Sequence, residues 1–284
     1  MMRRVARVQH ECFRKGEIQG RAFIFPAILP PEAPGIATRA GAGFFRRRRF
    51  TLPKRDARVR GDIFGESRVA EIILVRHGQA NSHATDDESY DKLSDLGREQ
   101  ARWLGAHLRD TNPHFDAVIT GTLSRQSETA LEMGFEITKQ DARLDELSYF
   151  AMATAMEAQH GVPSPRDPTE FATHLPQVIT HWTEGRLESV PETYPQFSER
   201  VTAVVDELCD GNGRILIVTS GGVIGMAMRH ALGLENSGMA KIMLQIMNSS
   251  MHRLHYVHDM LMVGTFNATP HLDAPDRAHA RTFV

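Results

Sequence analysis

The stretch Ile72-Ile73-Leu74-Val75-Arg76-His77-Gly78 indicates how this chain folds. Four consecutive aliphatic residues, three of them β-branched, are typical of a strand buried on both faces of a parallel sheet. The strand ends at a fixed cation and an imidazole, and in open α/β sheets ligands bind beyond the carboxyl ends of the strands. Gly78 would let the backbone turn tightly beside that ligand. The stretch therefore predicts a ligand site at Arg76 and His77, although a core strand followed by a surface Arg and His would give the same triplet.

The composition is that of an ordinary globular protein. The chain has 284 residues, of which 41% are hydrophobic and 24% are charged. Its two cysteines, Cys12 and Cys209, give neither a disulfide framework nor a zinc-binding spacing. The sequence contains no apolar run as long as a membrane span. We therefore expect no membrane partner; we also expect no cofactor and a cytoplasmic location.

The near-neutral net charge of -2 conceals a strongly basic beginning of the chain. Residues 1–69 carry roughly 16 basic and 6 acidic side chains, about +10, so the remainder carries about -12. We predict that residues 1–68 are a mostly disordered extension. It could be a functionless tail, a targeting peptide, or an arm for nucleic acid or a membrane surface. We favour the tail, because Glu11 and Glu17 argue against a transit peptide and the short block Arg46-Arg47-Arg48-Arg49 is a poor sign of nucleic-acid binding.

From about residue 69 onward, the pattern alternates between strands and helices. The predicted strands cover 71–76, 117–120 and 215–219. The predicted helices run from Asp95 to Arg109 with Ser94 as the N-cap, from Leu123 to Met133, from Ser198, and after Gly222. The proline-rich segment 150–197 predicts short helical pieces that cover the sheet, and 252–266 predicts edge strands. We therefore predict that 69–284 form one α/β domain, a three-layer α/β/α fold with a mainly parallel sheet and a helical insertion.

Two of the predicted buried strands end in polar, glycine-containing loops that start helices. One ends at His77 and the other at Ser220-Gly221-Gly222. Such loops direct backbone N–H groups and the positive ends of helix dipoles at one point, which suits an anion. The guanidinium groups of Arg76 and Arg125 match phosphate oxygens in pairs. His77 could act as a nucleophile or as a general base.

Four stretches in this order resemble the histidine phosphatase superfamily, also called phosphoglycerate mutase-like. The resemblance extends over roughly 69–270. The stretches are Leu74-Val75-Arg76-His77-Gly78-Gln79, Leu93-Ser94-Asp95-Leu96-Gly97-Arg98-Glu99-Gln100-Ala101, Thr120-Gly121-Thr122-Leu123-Ser124-Arg125-Gln126-Ser127-Glu128-Thr129-Ala130, and Leu144-Asp145-Glu146-Leu147.

The resemblance implies a role for each matching residue. His77 would attack phosphorus and form a phosphohistidine, while Arg76 and Arg125 would clamp the non-bridging oxygens. Glu146 would protonate the leaving oxygen and then activate water. Asn81 would add a polar phosphate contact, and no metal is needed.

The chain departs from the family at Ser220. The family normally has a second histidine there, which donates a hydrogen bond to the phosphoryl group and adds positive charge. Ser220 can donate a bond without charge, and Gly221 beside it completes the predicted phosphate-binding set. Losing one charged donor costs on the order of 10²–10³ in rate. His271 could be supplied from the C-terminal region, but a surface or satisfied histidine is the simpler interpretation.

The sequence thus predicts a phosphomonoester hydrolase that acts through a phosphohistidine on a small phosphorylated metabolite. The alternative is a catalytically weakened or inactive module that binds phosphate esters, because Ser220 replaces the second histidine. A mutase is less expected. We expect no nucleic-acid partner, and the oligomeric state and the substrate remain open. Specificity would come from the 79–92 loop and the 150–197 insertion.

Overall fold

The computed structural model describes residues 70–81, 86–211 and 213–283. The extension predicted over 1–68 lies outside these residues. The described strands are β1 (Ala70–Arg76), β2 (Ala117–Thr120), β3 (Lys139–Gln140), β4 (Gly213–Thr219), β5 (Met251–Val257) and β6 (Met260–Ala268). They form one six-stranded sheet in the order β3-β2-β4-β1-β5-β6. The first four strands pair in parallel, whereas β5 pairs antiparallel with both β1 and β6.

Eight α-helices lie among the described residues. They are α1 (Asp87–Tyr90), α2 (Asp95–Thr111), α3 (Ser124–Glu132), α4 (Tyr149–His160), α5 (Pro168–Thr183), α6 (Tyr194–Cys209), α7 (Gly221–Leu232) and α8 (Asn236–Met243). Short 3-10 helices cover Ala142–Leu144, Pro270–Leu272 and Pro275–Ala280. None of the helices in the described part of the chain is both long and apolar enough to cross a membrane.

The central strand β1 is buried on both faces, as its aliphatic run predicts. Ile73 and Val75 belong to a core cluster with residues of α2 and α3. Ile72 and Leu74 face the opposite side and pack in a larger cluster with residues of α4 to α8. Side chains of a strand alternate between its two faces, so one strand holds both helical layers together. This confirms the three-layer α/β/α architecture.

The 150–197 insertion covers the sheet as predicted, but it does not consist of short pieces. Helix α5 runs unbroken for 16 residues through Pro176. Pro168 and Pro195 lie in the first turns of α5 and α6, where the missing N–H has no intrahelical partner to lose. The predicted start at Ser198 is wrong: α6 begins at Tyr194, and the Gln196 side chain accepts the Thr193 N–H at 2.9 Å.

The segment after residue 250 also differs in part from the edge strands that the sequence predicts. Of the two strands in this segment, only β6 lies at an edge of the sheet. Strand β5 is hydrogen-bonded on one side to β1 and on the other to β6. The alternation of residues in this segment indicates strands, but it does not say how many neighbours a strand has.

The start of α2 packs against the loop that follows β1. The Ser94 side chain accepts the Gly97 N–H at 3.0 Å, which confirms the predicted N-cap. A Cβ atom at Gly97 would lie 2.1 Å from the Gln79 carbonyl oxygen, and one at Gly78 would lie 2.3 Å from the Gly97 oxygen. Glycine at both positions therefore lets two backbone segments touch directly behind His77.

Candidate active site

His77 lies at the carboxyl end of β1, with its backbone held on both sides. Its N–H donates to the Thr219 carbonyl at 2.9 Å, and its carbonyl accepts the Ser249 N–H at 3.2 Å. The parallel register places Arg76 opposite Thr219, so His77 and Ser220 follow on neighbouring strands. The two strand ends that the sequence predicts to meet therefore do meet.

Two hydrogen bonds define the tautomer of the His77 ring. Nδ1 lies 2.7 Å from the Gly78 carbonyl oxygen, which can only accept, so Nδ1 carries the proton. The Arg125 Nε–H group donates to His77 Nε2 at 3.2 Å, so Nε2 presents a lone pair. Nε2 is therefore the unprotonated nitrogen of a neutral imidazole, the atom that a nucleophilic role would use.

The surroundings also keep the imidazole neutral. Burial lowers the pKa of His77 well below its usual 6.5, the positive charges of Arg125 and Arg76 lower it further, and the hydrogen bond to Gly78 opposes them. The unprotonated form that can attack phosphorus is therefore the resident form at neutral pH.

Arg125 is fixed by an ion pair that forms at the start of α3. Its Nη1 atom lies 3.0 Å from Asp91 Oδ1, and the same carboxylate accepts the backbone N–H groups of Arg125 and Ser124 at 3.1 and 2.8 Å. Asp91 therefore both caps the first turn of α3 and orients the Arg125 guanidinium.

The Arg76 guanidinium is hydrogen-bonded through one nitrogen atom, while another has no partner in the described part of the chain. Its Nη1 donates to the Ile246 carbonyl at 2.6 Å and to the Phe283 carbonyl. Its Nε is buried and has no hydrogen-bond partner among the described residues. An ideal Cβ at Gly221 would lie 3.8 Å from that Nε atom. A buried donor without a partner is costly, so an anion bound at the start of α7 would satisfy it.

Glu146 reaches the same helix start. Its two carboxylate oxygens accept the Gly222 N–H at 3.0 and 3.1 Å, and Oε1 also accepts the Leu147 N–H at 3.0 Å. An ideal Cβ at Gly221 would lie 3.9 Å from Oε2, about as far as from Arg76 Nε. The carboxylate predicted to serve as acid and base thus lies across this corner from Arg76.

Ser220 is fully buried and already has a partner. The Gln126 Nε2 group donates to Ser220 Oγ at 2.8 Å and to the Leu144 carbonyl at 3.1 Å. Since Oγ accepts from Gln126, the Ser220 hydroxyl proton can still be donated to a ligand. The position that the family gives to a cation is therefore filled by a neutral serine–glutamine pair.

Two other residues that the sequence singles out are engaged elsewhere. Asn81 Nδ2 donates to the Ser89 carbonyl at 3.0 Å, so its amide stabilises the loop, and its contact with phosphate stays a prediction. His271 is buried, and its Nε2 bonds with Ser249 Oγ at 2.8 Å, behind the backbone of His77. Its Nδ1 is buried with no hydrogen-bond partner among the described residues, so His271 is neither a surface histidine nor a fully satisfied one.

Sequence reasoning missed Asp91 and Gln126, which position two members of the site. Gln126 lies inside one of the matching stretches, directly after Arg125. Its position in that motif could have indicated that it lies near the site. Asp91 lies in a loop with no motif, and its contacts with the start of α3 arise only from the fold. Among the described residues, no group of three or more His, Cys, Asp or Glu side chains is placed to hold a metal ion.

Together these residues define a class of site: a buried, neutral histidine that accepts a hydrogen bond from one arginine and directly follows another in the chain, at the carboxyl ends of parallel strands. The family model of the histidine phosphatase superfamily (branch 1) matches residues 72–269. That match covers more than half of the chain, and the chain therefore belongs to the histidine phosphatase superfamily.

Several relatives with similar sequences are phosphatases by name. The mitochondrial serine/threonine-protein phosphatase Pgam5 of Drosophila willistoni is 33% identical over 152 residues, which are 51% of this chain and 47% of the relative. The Drosophila virilis protein of that name is 32% identical over 41% of this chain and 38% of its own length. The chain thus matches less than half the length of these two relatives. A broad-specificity phosphatase of Saccharomyces cerevisiae is 24% identical over 73% of this chain and 89% of its own length.

Solved structures share the fold at lower identity. A phosphoserine phosphatase mutant of Entamoeba histolytica, in complex with phosphoserine, aligns with a TM-score of 0.53 and 19% identity, over 72% of this chain and 99% of its own. A phosphoglycerate mutase of Bacillus anthracis aligns with a TM-score of 0.51 and 22% identity, over 72% of this chain and 96% of its own. These likenesses show the α/β fold.

Proposed function

We propose that this chain hydrolyses small phosphomonoesters through a phosphohistidine formed on His77. The observation that carries the proposal is the state of the His77 ring: buried, neutral, and with the unprotonated Nε2 beside the Arg125 guanidinium. The relatives named as phosphatases support hydrolysis, and the yeast relative is a broad-specificity phosphatase by name.

The proposed reaction has two steps. In the first, His77 Nε2 forms a bond to phosphorus, the ester P–O bond breaks, and Glu146 gives a proton to the departing alcohol oxygen. In the second, Glu146 takes a proton from water, the water oxygen attacks phosphorus, and the P–N bond breaks to release inorganic phosphate. Arg76 and Arg125 would neutralise the charge on the non-bridging oxygens in both steps.

The test is turnover of p-nitrophenyl phosphate and a panel of phosphorylated metabolites by the full chain. We expect His77→Ala to abolish turnover, since no other described group is placed to take its part. His114→Ala is the matched control, because His114 is an exposed histidine that bonds with Asp116 on the surface. Equal turnover in the unmodified chain and in His77→Ala would overturn the proposal.

A second candidate function is a module that binds phosphate esters without turning them over. The neutral Ser220–Gln126 pair favours it, because the site has one cation fewer than the family pattern. This candidate predicts that inorganic phosphate raises the melting temperature of the chain. The whole panel of esters would show no release of phosphate.

A further inference from the structure

A line of aromatic side chains leads away from His77. The Tyr90 ring lies edge-on to the His77 ring, with 6.4 Å between centroids, and Phe150 lies 6.2 Å from Tyr90. Tyr149 lies 6.0 Å from Phe150, and Phe171 lies 5.1 Å from Tyr149. We call these four rings the aromatic row. The row runs from His77 to the helical insertion at 150–197.

The outer half of the aromatic row is structural. Tyr149 and Phe171 pack against the large core cluster, and the Tyr149 hydroxyl bonds with His174 Nδ1 at 2.8 Å. These contacts explain why both rings are present, so they need no ligand.

The inner half of the aromatic row, Tyr90 and Phe150, has no such packing against the core. Tyr90 and Phe150 are half-buried, yet neither belongs to the two core clusters found among the described residues. Their aromatic contacts are with each other, with His77 and with Tyr149. The Arg125 guanidinium lies over the Tyr90 ring, 5.1 Å from its centroid. Apolar surface beside a polar site and outside the core is a common means of holding the organic part of a ligand.

The charges at the site disfavour an acidic organic group. Arg125 is paired with Asp91, and Arg76 is bonded to two carbonyls, so both cations are held in place for the phosphoryl group. The carboxylates of Asp91 and Glu146 border the same site and would repel a second negative charge on the substrate. Beside these charges, an uncharged, apolar organic group fits better than an acidic one.

We propose that Tyr90 and Phe150 select phosphomonoesters whose organic group carries an aromatic ring close to the phosphoryl oxygen. A ring separated from that oxygen by one or two carbon atoms would pack edge-on against them, as aromatic pairs prefer at centroid distances of roughly 4.5–7 Å. This assignment rests on the proposed hydrolysis at His77 and names its substrate class.

The experiment compares 2-phenylethyl phosphate with ethyl phosphate, because both esters release a primary alcohol and differ mainly by the ring. For the full chain we expect kcat/KM to favour the phenyl ester about tenfold. Phe150→Ala should reduce that ratio to about threefold or less, and Phe150→Tyr should restore it. The matched control is Phe115→Leu, which removes a ring that packs with Phe135 against the other core cluster and should leave the ratio unchanged.

The outcomes separate the two proposals. A ratio near one in the unmodified chain, with turnover of both esters lost in His77→Ala, would overturn the substrate assignment and leave the hydrolysis standing. A high ratio that Phe150→Ala does not change would also overturn the role of the inner rings. No turnover of either ester would overturn the hydrolysis and the assignment together.

Discussion

The state of the His77 ring depends on one neighbour in the sequence and on one that only the fold brings to it. The Gly78 carbonyl and the Arg125 Nε–H group select the tautomer, and burial keeps the ring neutral. The motifs in the sequence predict His77 as the nucleophile and both arginines as phosphate-binding residues. It cannot show that Arg125 depends on Asp91, because that contact joins a loop to a helix 34 positions further along the chain.

The first prediction concerns Asp91. Asp91→Ala leaves Arg125 without the carboxylate that orients it, and a misplaced clamp of this kind costs about 10²-fold in rate. We expect kcat/KM for p-nitrophenyl phosphate to fall by about that factor. Asp273→Ala is the control, because it removes a surface ion pair with Arg281 that lies at 2.8 Å. If both variants keep the activity of the unmodified chain, Asp91 has no positioning role.

The second prediction concerns the missing histidine. Ser220 is fully buried against Gln126, so Ser220→His alone overpacks the site and should lower the melting temperature. Adding Gln126→Ala makes room for the ring. We expect the double variant to recover much of the stability and to exceed the unmodified chain in turnover by about 10-fold to 10²-fold, since a charged donor is restored.

Gln126→Ala alone is the matched control for the double variant. It removes the same amide without supplying an imidazole, so its turnover should not rise. Equal turnover in the control and in the double variant would mean that the site does not lack a charged donor.

At the scale of elements, glycine at the start of α7 sets the place of the Glu146 carboxylate. An ideal Cβ at Gly222 would lie 2.2 Å from Glu146 Oε1. The third prediction is that Gly222→Ala displaces this carboxylate and lowers kcat about 10-fold to 10²-fold with a smaller change in KM, because general acid–base help is lost while phosphoryl binding remains. The matched control is Gly233→Ala at the other end of α7, where a Cβ meets nothing within 4 Å, although the positive φ of 61° adds some strain.

Measurement of kcat and KM for the two glycine variants checks this prediction. A fall in activity that is the same for both variants would point to general loss of stability instead. In that case the contact of Gly222 with Glu146 would have no special part in turnover.

The elements themselves were largely readable from the sequence. The strands at 117–120 and 215–219 follow from runs of β-branched residues, and Ser94 is recognisable as a cap. The start of α6 was missed, because the reciprocal bond of Thr193 and Gln196 competes with Ser198 as a helix start and only geometry decides between them. The sequence does not show the length of α5, because Pro168 at its start and Pro176 inside it both resemble helix breaks.

For the whole molecule, burial of two histidines makes stability depend on pH. Burial lowers the pKa of His252 to about 3, with a further contribution from Arg76, and burial also lowers the pKa of His271 to about 3. Between pH 6.5 and 3, the unfolded chain binds protons at these two positions and the folded chain does not. Their contribution to stability is therefore complete above pH 6.5 and is lost as the pH falls toward 3.

The fourth prediction follows from this linkage. Below pH 6, His271→Gln should reduce the slope of the unfolding free energy against pH by about 1.4 kcal/mol per pH unit, the value for one proton. Urea unfolding at a series of pH values measures the slope. His279→Gln is the control, because His279 is exposed and its imidazole meets water in both states. Equal slopes for the two variants would contradict the prediction.

Contacts between distant parts of the chain explain why part of the site could not be predicted from the sequence. Arg76 is anchored by the carbonyls of Ile246 and Phe283, which lie 170 and 207 positions away along the chain. Backbone carbonyls carry no side-chain signature, so no motif could point to them. The sequence shows Arg76 and His77 together because they are adjacent in the chain, whereas the groups that hold them come together only in the folded molecule.

The most direct measurement of the central claim is covalent trapping. The full chain is mixed with p-nitrophenyl phosphate, quenched in alkali, which preserves phosphohistidine, and digested for mass spectrometry. We expect a phosphoryl group on the peptide that contains His77, and neither that group nor turnover in His77→Ala. Turnover with no phosphoryl group on His77, and with equal activity in His77→Ala, would contradict the mechanism.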